Sequence, residues 1–279
     1  ITGVHGLVDG EPSHVEELRT RLTCCVYRRP AEEVGLELPP VTRDIVYDAT
    51  TPEQLLTYNA AFDGRDPREA LEAVLAGRAS RSTTVWLDKL RKLASEIKRP
   101  VTLELLRDLR EQGEDVVVFS WQRVMCERLA SPDGSYGYIV HGDIEPGLRE
   151  SRIDVFQTDR YENFGGRLLS ATYGALSTGV TLDRARVVVL HDLDYVPSTV
   201  LQAEGRVTGG LRRLNQHKVA KWVVARGTLD ELFIRIIGIK GNAIDTVLAD
   251  QSARQLGDFL GYRAHDATLE KVIAWARSV

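Results

Sequence analysis

Val187, Val188, Val189 and Leu190 constrain this chain more than any other stretch. An unbroken run of branched and aliphatic side chains marks a strand buried on both faces, the situation in a parallel sheet. Two carboxylates follow at Asp192 and Asp194, and then Pro197, Ser198 and Thr199, residue types that hand a loop over to a new helix. A helix over residues 199–206 places Gln202 and Arg206 at i and i+4, on one face. Arg212, Arg213 and Gln216 lie a few residues on. A buried strand, an acidic loop and a helix bearing Gln and Arg put a polar, cationic set at the carboxyl edge of an open α/β sheet. Ligands bind at that edge.

The flanking pattern supports such a sheet. Helices are expected over 101–112, 122–130 and 146–156, and strands over 116–119, 138–140, 167–171, 187–191 and 219–224. This alternation implies an open, mainly parallel sheet with helices on both faces. Ahead of it, residues 1–99 read as a helical lead-in, with helices at 12–24, 52–62 and 67–77 and one strand at 41–48. Proline at the first turn starts the second and third of these helices. The lobe itself is assigned to 100–240. A helical tail over 241–279 packs on it, broken near Gly261 and held down by Ile273 and Trp275.

Composition narrows the class. The chain has 279 residues, is 43% hydrophobic and contains no apolar run long enough for a membrane span. Its first residues lack the charged and apolar regions of a signal peptide, so a cytoplasmic or nuclear location is expected. The chain begins with Ile, which suggests a fragment or processed form. Cys24, Cys25 and Cys126 match neither a disulfide framework nor a metal spacing, and read as reduced core residues. No metal site is expected. A net charge of −4 excludes a wholesale polycation but allows local basic patches. One such stretch carries Arg78, Arg81, Lys89, Arg91, Lys92, Lys98 and Arg99 against Asp88 and Glu96. It is either a solvated helix face or a surface for a phosphate backbone. Phe119 and Trp121 read most simply as core packing.

Five motifs in order now point to a family. They are YRRPAEEVGLELPP, GEDVVVFSWQRVMCERL, YIVHGDIEPGLRESRIDVFQ, the stretch RLLSATYGALSTGVTLDRARVVVLHDLDYVPSTVLQAEGR, and VAKWVVARGTLDELF. Together they resemble the C-terminal, second RecA-like lobe of superfamily 2 helicases, of the Swi/Snf type that translocates on double-stranded DNA, and within it the annealing-helicase branch. The departures fall in the sixth family motif, where Gly209 stands in place of an arginine. Arg213-Leu214-Asn215-Gln216 reproduces the motif's end after an insertion of about four residues.

The resemblance implies particular roles. Arg213 becomes the arginine finger, with Arg212 in reserve, Arg206 beside it and Gln202 orienting water or phosphate; the guanidinium meets charge spreading on the γ-phosphate. Gly179, Thr181, Asp183 and Arg212 are implied on the nucleotide side. Ser170, Thr172, Gly174 and Gly179 would offer hydroxyls and N–H groups to a DNA strand, and Gly142 and Arg149 match further DNA-facing positions. The implied partners are DNA, duplex or forked, and an N-terminal RecA-like lobe. ATP and Mg are expected to be held mainly by that lobe, because no G-x-x-x-x-G-K-[ST] loop or Asp-Glu metal pair occurs here. The chain alone is then half of a motor and inactive. The competing expectation is a stand-alone binding module that keeps the fold without hydrolysis.

Overall fold

The computed structural model describes residues 2–3, 6–7, 15–22, 25, 41–131, 137–158, 166–176, 180–208, 217–248 and 251–261. In chain order the elements are β1 (Thr2–Gly3), β2 (Gly6–Leu7), α1 (Val15–Leu22), β3 (Val41–Asp48), α2 (Pro52–Ala60) and α3 (Pro67–Leu75). Then come α4 (Arg81–Glu111), β4 (Val116–Ser120), α5 (Arg123–Leu129), β5 (Tyr138–Val140) and α6 (Pro146–Gln157). β6 (Leu168–Thr172) runs into a 3-10 turn at Tyr173–Leu176, followed by β7 (Val187–Leu190), α7 (Pro197–Thr208), β8 (Lys218–Ala225), α8 (Leu229–Leu248) and α9 (Gln251–Phe259).

β1 and β2 form a small antiparallel pair, whereas the main sheet has six strands in the order β3-β8-β7-β4-β6-β5. Every pairing in the main sheet is parallel. The runs VVVF in β4 and VVVL in β7 are buried along their whole length, as the central strands of a sheet covered on both sides must be. The side chains of β4 alternate between the two layers. Val116 and Val118 pack with Leu106 and Leu109 of α4 and with Met125 and Leu129 of α5. Val117 and Phe119 join the larger core that includes Phe156 of α6 and Val200, Ala203 and Val207 of α7.

Two expectations change. The helix expected over 101–112 does not start there; it is the second part of α4, which runs for 31 residues with Pro100 inside it. An internal proline costs about 3 kcal/mol. The inward face of α4 buries Leu90, Ile97, Leu106 and Leu109, and at roughly 1.5–3 kcal/mol for each buried aliphatic side chain that packing outweighs the break. The division expected at 99/100 therefore falls inside one helix. Likewise the lead-in strand β3 pairs with β8 from Val41 opposite Lys218 to Asp48 opposite Ala225, so it is an edge strand of the main sheet. In the tail, α9 buries Ala253 and Leu256, and Gly261 takes a positive φ of 75° just beyond it. Ile273 and Trp275 lie outside the described residues. Cys126 is buried as expected, but Cys25 is exposed. Among the described residues no helix is long and apolar enough to cross a membrane.

Candidate functional site

The segment after β7 is held by a buried polar network. His191 is fully buried, with Nε2 3.0 Å from the Ser95 hydroxyl and Nδ1 2.8 Å from that of Thr102. The Thr102 hydroxyl donates to the Lys98 carbonyl at 3.0 Å, so toward the ring it accepts from Nδ1–H, and Nε2 accepts from Ser95. The imidazole is thus a neutral ring with both nitrogens satisfied. Burial lowers its pKa to about 4. Lys98, also fully buried, places its ammonium 2.8 Å from Asp230 and 3.7 Å from Asp192. Burial alone would raise the Asp192 pKa. Its cationic neighbours, His191 when protonated and Lys98, together with the Trp121 amide 2.8 Å away, hold it below the usual carboxylate value instead. Asp230 also accepts the Ala225 amide at 3.0 Å. α4, β4, β7, β8 and α8 are thereby tied together at the carboxyl edge.

Beside this network lies the face of α7. Gln202 and Arg206 share a narrow cleft with Phe119, Tyr173, Leu176 and Thr199. Gln202 is exposed and Arg206 half-buried, its guanidinium donating to the Val180 carbonyl at 3.3 Å. The nearby Glu204 does not pair with Arg206. It is buried, accepting from Arg43 at 2.8 Å and from the Trp222 indole at 2.9 Å. Asp194 is spent on the turn into α7, accepting from the Val196 amide at 3.1 Å. Tyr173 stacks on Phe119 with centroids 5.3 Å apart, and its hydroxyl donates to the Asp192 carbonyl. Burial, with Asp192 and Asp194 adding to it, keeps that phenol neutral.

Of the residues singled out from sequence, Gln202 and Arg206 come together as expected. Gly179, Arg212, Arg213 and Gln216 lie outside the described residues. Ser170 does not reach a surface: it is fully buried within β6 and its hydroxyl donates to the Cys126 carbonyl at 2.7 Å. Thr172 is nearly buried at the carboxyl end of β6, whereas Gly174 in the following turn is exposed, with open space where a Cβ would stand. Gly142 is exposed after β5, and Arg149 is half-buried on α6 with its Nε buried and without a hydrogen-bond partner. Thr181 is exposed. Asp183 is buried and structural, its carboxylate accepting from Gln157 at 3.0 Å and its carbonyl from Lys218 at 2.9 Å, at the amino end of β8.

The basic stretch is not a uniform solvated face. Lys98 is buried in the network, Arg91 lies 4.5 Å over the Trp121 ring, and Lys89 and Lys92 are exposed. Trp121 is not core, at 44% exposure. Sequence reading missed the network itself, although a signal was present: Ser95, Lys98 and Thr102 interrupt an apolar helix face at i, i+3 and i+7, opposite a histidine that leaves a buried strand.

A six-stranded parallel sheet with helices packed on it is a RecA-like α/β fold. Residues 97–208 match the helicase conserved C-terminal domain. These residues, with the relatives and solved structures that follow, support a C-terminal lobe of a superfamily 2 helicase of Swi/Snf type. It is 25% identical over 244 residues to a SWI/SNF-related matrix-associated actin-dependent regulator of chromatin subfamily A-like protein 1 from Drosophila melanogaster, covering 84% of this chain and 30% of that protein. The protein of the same name from Xenopus tropicalis is 29% identical over 227 residues, covering 78% and 23%. The DNA excision repair protein CSB of Oryza sativa subsp. japonica is 25% identical over 241 residues, covering 77% and 19%. This chain thus spans less than a third of the length of these relatives. In fold it is similar to the Sulfolobus solfataricus SWI2/SNF2 ATPase core domain, with a TM-score of 0.55 at 18% identity, covering 92% of this chain and 54% of that one. The C-terminal part of the Fun30 ATPase domain gives a TM-score of 0.50 at 14% identity, covering 80% and 98%.

Proposed function

We propose that this chain is the second lobe of an ATP-dependent DNA translocase or helicase, in which two lobes open and close around ATP while the protein moves on duplex or forked DNA. α7 carries this reading. It leaves the buried strand β7 through the Asp192–Asp194 loop and turns Gln202 and Arg206 into one cleft. Residues of these types suit phosphoryl transfer, which is mostly positioning and charge stabilisation. Arg213 is assigned as the finger that meets the developing negative charge, Arg212 as its reserve, and Arg206 and Gln202 as its supports. On the nucleotide side the assignment keeps Gly179 and Thr181. Asp183 acts there through the fold, since its carboxylate is spent on Gln157. For the DNA track it keeps Thr172, Gly174, Gly142 and Arg149 and omits the buried Ser170.

The β-phosphate and Mg are assigned to an N-terminal lobe. This sequence has no phosphate loop, and the described residues hold no group of three or more His, Cys, Asp or Glu placed to bind a metal ion. DNA as the track is supported by relatives named as a regulator of chromatin and a DNA excision repair protein. Two measurements test the reading. The purified chain is expected to show no DNA-stimulated ATP hydrolysis, and robust turnover by it would overturn the division of labour. Sequence-independent DNA binding is expected to weaken steeply between about 50 and 200 mM salt, as counterion release requires. Binding that ignores salt, or no binding at all, would remove the DNA track.

A further inference from the structure

Trp121 directly follows β4 and stands 44% exposed at the carboxyl edge of the sheet, an unusual place for so large an apolar side chain. It is nevertheless pinned. Its amide donates to Asp192 at 2.8 Å, and Asp192 is in turn anchored by Lys98. The Arg91 guanidinium lies 4.5 Å from the ring centroid and also donates to the Leu193 carbonyl at 3.3 Å. Tyr173, itself stacked on Phe119, comes to 6.4 Å at a tilt of 46°. A backbone bond, a cation and an aromatic neighbour thus fix an indole plane that keeps open surface. The recess on its Arg91 side measures about 10 Å³, too little for a nucleobase. A planar ligand therefore has to lie on the outward part of the ring.

Such an open platform suits a base that arrives on a strand rather than a free nucleotide, which needs enclosure on most of its surface. The charge beside it agrees: Lys92, one residue past Arg91 and 3.9 Å from Asp88, keeps an exposed ammonium stem. Rigid aromatic faces with flanking cations are how single strands are held, because every base has a π-face and brings a phosphate with it. We propose that Trp121 is a stacking platform for an unpaired nucleic-acid base, with Arg91 and Lys92 meeting the adjoining phosphate, so that this lobe distinguishes a single-stranded or forked track from continuous duplex. In duplex the bases are already stacked on one another and offer the indole no face. The proposal rests on the reading of this lobe as part of a DNA track and adds which form of DNA it selects.

The test titrates the 279-residue chain with a short oligo-dT strand, a duplex of equal length and ADP, following tryptophan fluorescence. Oligo-dT is expected to quench the indole emission, and the quench should vanish in Trp121→Phe, which keeps an aromatic face. Trp121→Ala should weaken the strand by about 5- to 100-fold while leaving duplex affinity unchanged. The dependence on salt should also stay the same, since no phosphate contact is removed. Trp121→Tyr should recover most of the affinity and guards against a folding artefact. Equal losses on strand and duplex, no loss on either, or quenching by ADP alone would each overturn the platform and leave a protein contact or a nucleotide contact in its place. Binding of DNA that Trp121→Ala leaves untouched sinks only this proposal. Absence of DNA binding by the unaltered chain sinks the track reading with it.

Discussion

Lys98 and Arg206 both bring positive charge toward the carboxyl edge of the sheet, and they are held in opposite ways. Lys98 is fully buried, 2.8 Å from Asp230 and 3.7 Å from Asp192. Arg206 is half-buried, donates to a backbone carbonyl at 3.3 Å and borders a cleft with Gln202. A charge committed to buried carboxylates cannot be lent to a ligand without leaving those carboxylates uncompensated, which is far more costly than the pair is worth. A guanidinium resting on a carbonyl at a cleft can turn to a phosphate. The first cation is scaffold, and the second is the one the proposed function assigns to the chemistry.

The largest effect that would sharpen this contrast lies on the chemical side. Arg213→Ala in the complete protein should lower ATP turnover by about 10³- to 10⁵-fold while changing ATP affinity much less, because the contact matters mainly in the transition state. Arg213→Lys should rescue little, since an ammonium cannot reproduce the planar fork. If Arg212→Ala is the crippling change and Arg213→Ala is mild, the insertion is misplaced by one residue. If both are mild and Arg206→Ala abolishes turnover, Arg206 is itself the finger.

Stability should divide the two cations the other way. Lys98→Met strands Asp192 and Asp230 in the interior and should cost about 3–5 kcal/mol in urea unfolding. Arg206→Met should cost less, about 1 kcal/mol, the usual size of a hydrogen bond lost from a half-buried side chain with no buried counter-charge left behind. Equal costs would show that Arg206 is scaffold too.

How far these roles were legible in the sequence follows from the same physics. β4 and β7 were plain, because four apolar residues in a row have few homes other than a doubly covered strand. α7 with Gln202 and Arg206 was equally plain, since a proline, two hydroxyls and an i, i+4 pair define a helix start and a face locally. The continuity of α4 was not, because local rules stop a helix at Pro100 and only the packed inner face, invisible in one dimension, carries it through. Ser170 read as an available hydroxyl because β6 is covered on both faces, burying all five of its residues, by elements distant in sequence such as α5, whose Cys126 carbonyl takes its hydroxyl. Lys98 looked like one more solvated lysine for the same reason: its partner Asp230 is 132 residues away. Trp121 erred in the opposite direction, since an aromatic after a buried strand reads as core unless the loop's course is known.

His191 gives the scaffold a pH signature. Its pKa falls from about 6.5 in the unfolded chain to about 4 in the folded one. Between those values the unfolded state binds the extra proton, so stability is complete above about pH 6.5 and is lost as pH falls toward 4, for about 3 kcal/mol in total. Asp192, whose folded pKa is depressed, stabilises the fold fully above the ordinary carboxylate value and starts to lose that contribution only as pH falls through it, so the window from pH 6.5 to 5 belongs to the histidine. Urea unfolding of the native chain at pH 7 and pH 5, set beside His191→Asn, separates this from the other histidines. A loss of equal size in both proteins would mean the ring is not buried neutral.

The smallest effect concerns the two ends of α4. Lys92 stands exposed near the carboxyl edge beside Arg91 and Trp121, whereas Arg107 is exposed toward the opposite end of the helix, which feeds the amino end of β4. If nucleic acid runs along the carboxyl edge, Lys92→Ala should remove about one phosphate contact, lowering the slope of log affinity against log salt by about one and weakening strand and duplex alike. That uniform loss differs from the strand-selective loss expected at Trp121, because a phosphate is common to both forms and an open base face is not. Arg107→Ala should leave slope and affinity unchanged, since a charge beyond the Debye length of about 10 Å is screened from the strand. Matching slopes for the two variants would mean that the basic face acts as a diffuse cationic surface, and the distinction between the two edges of the sheet would fall with it.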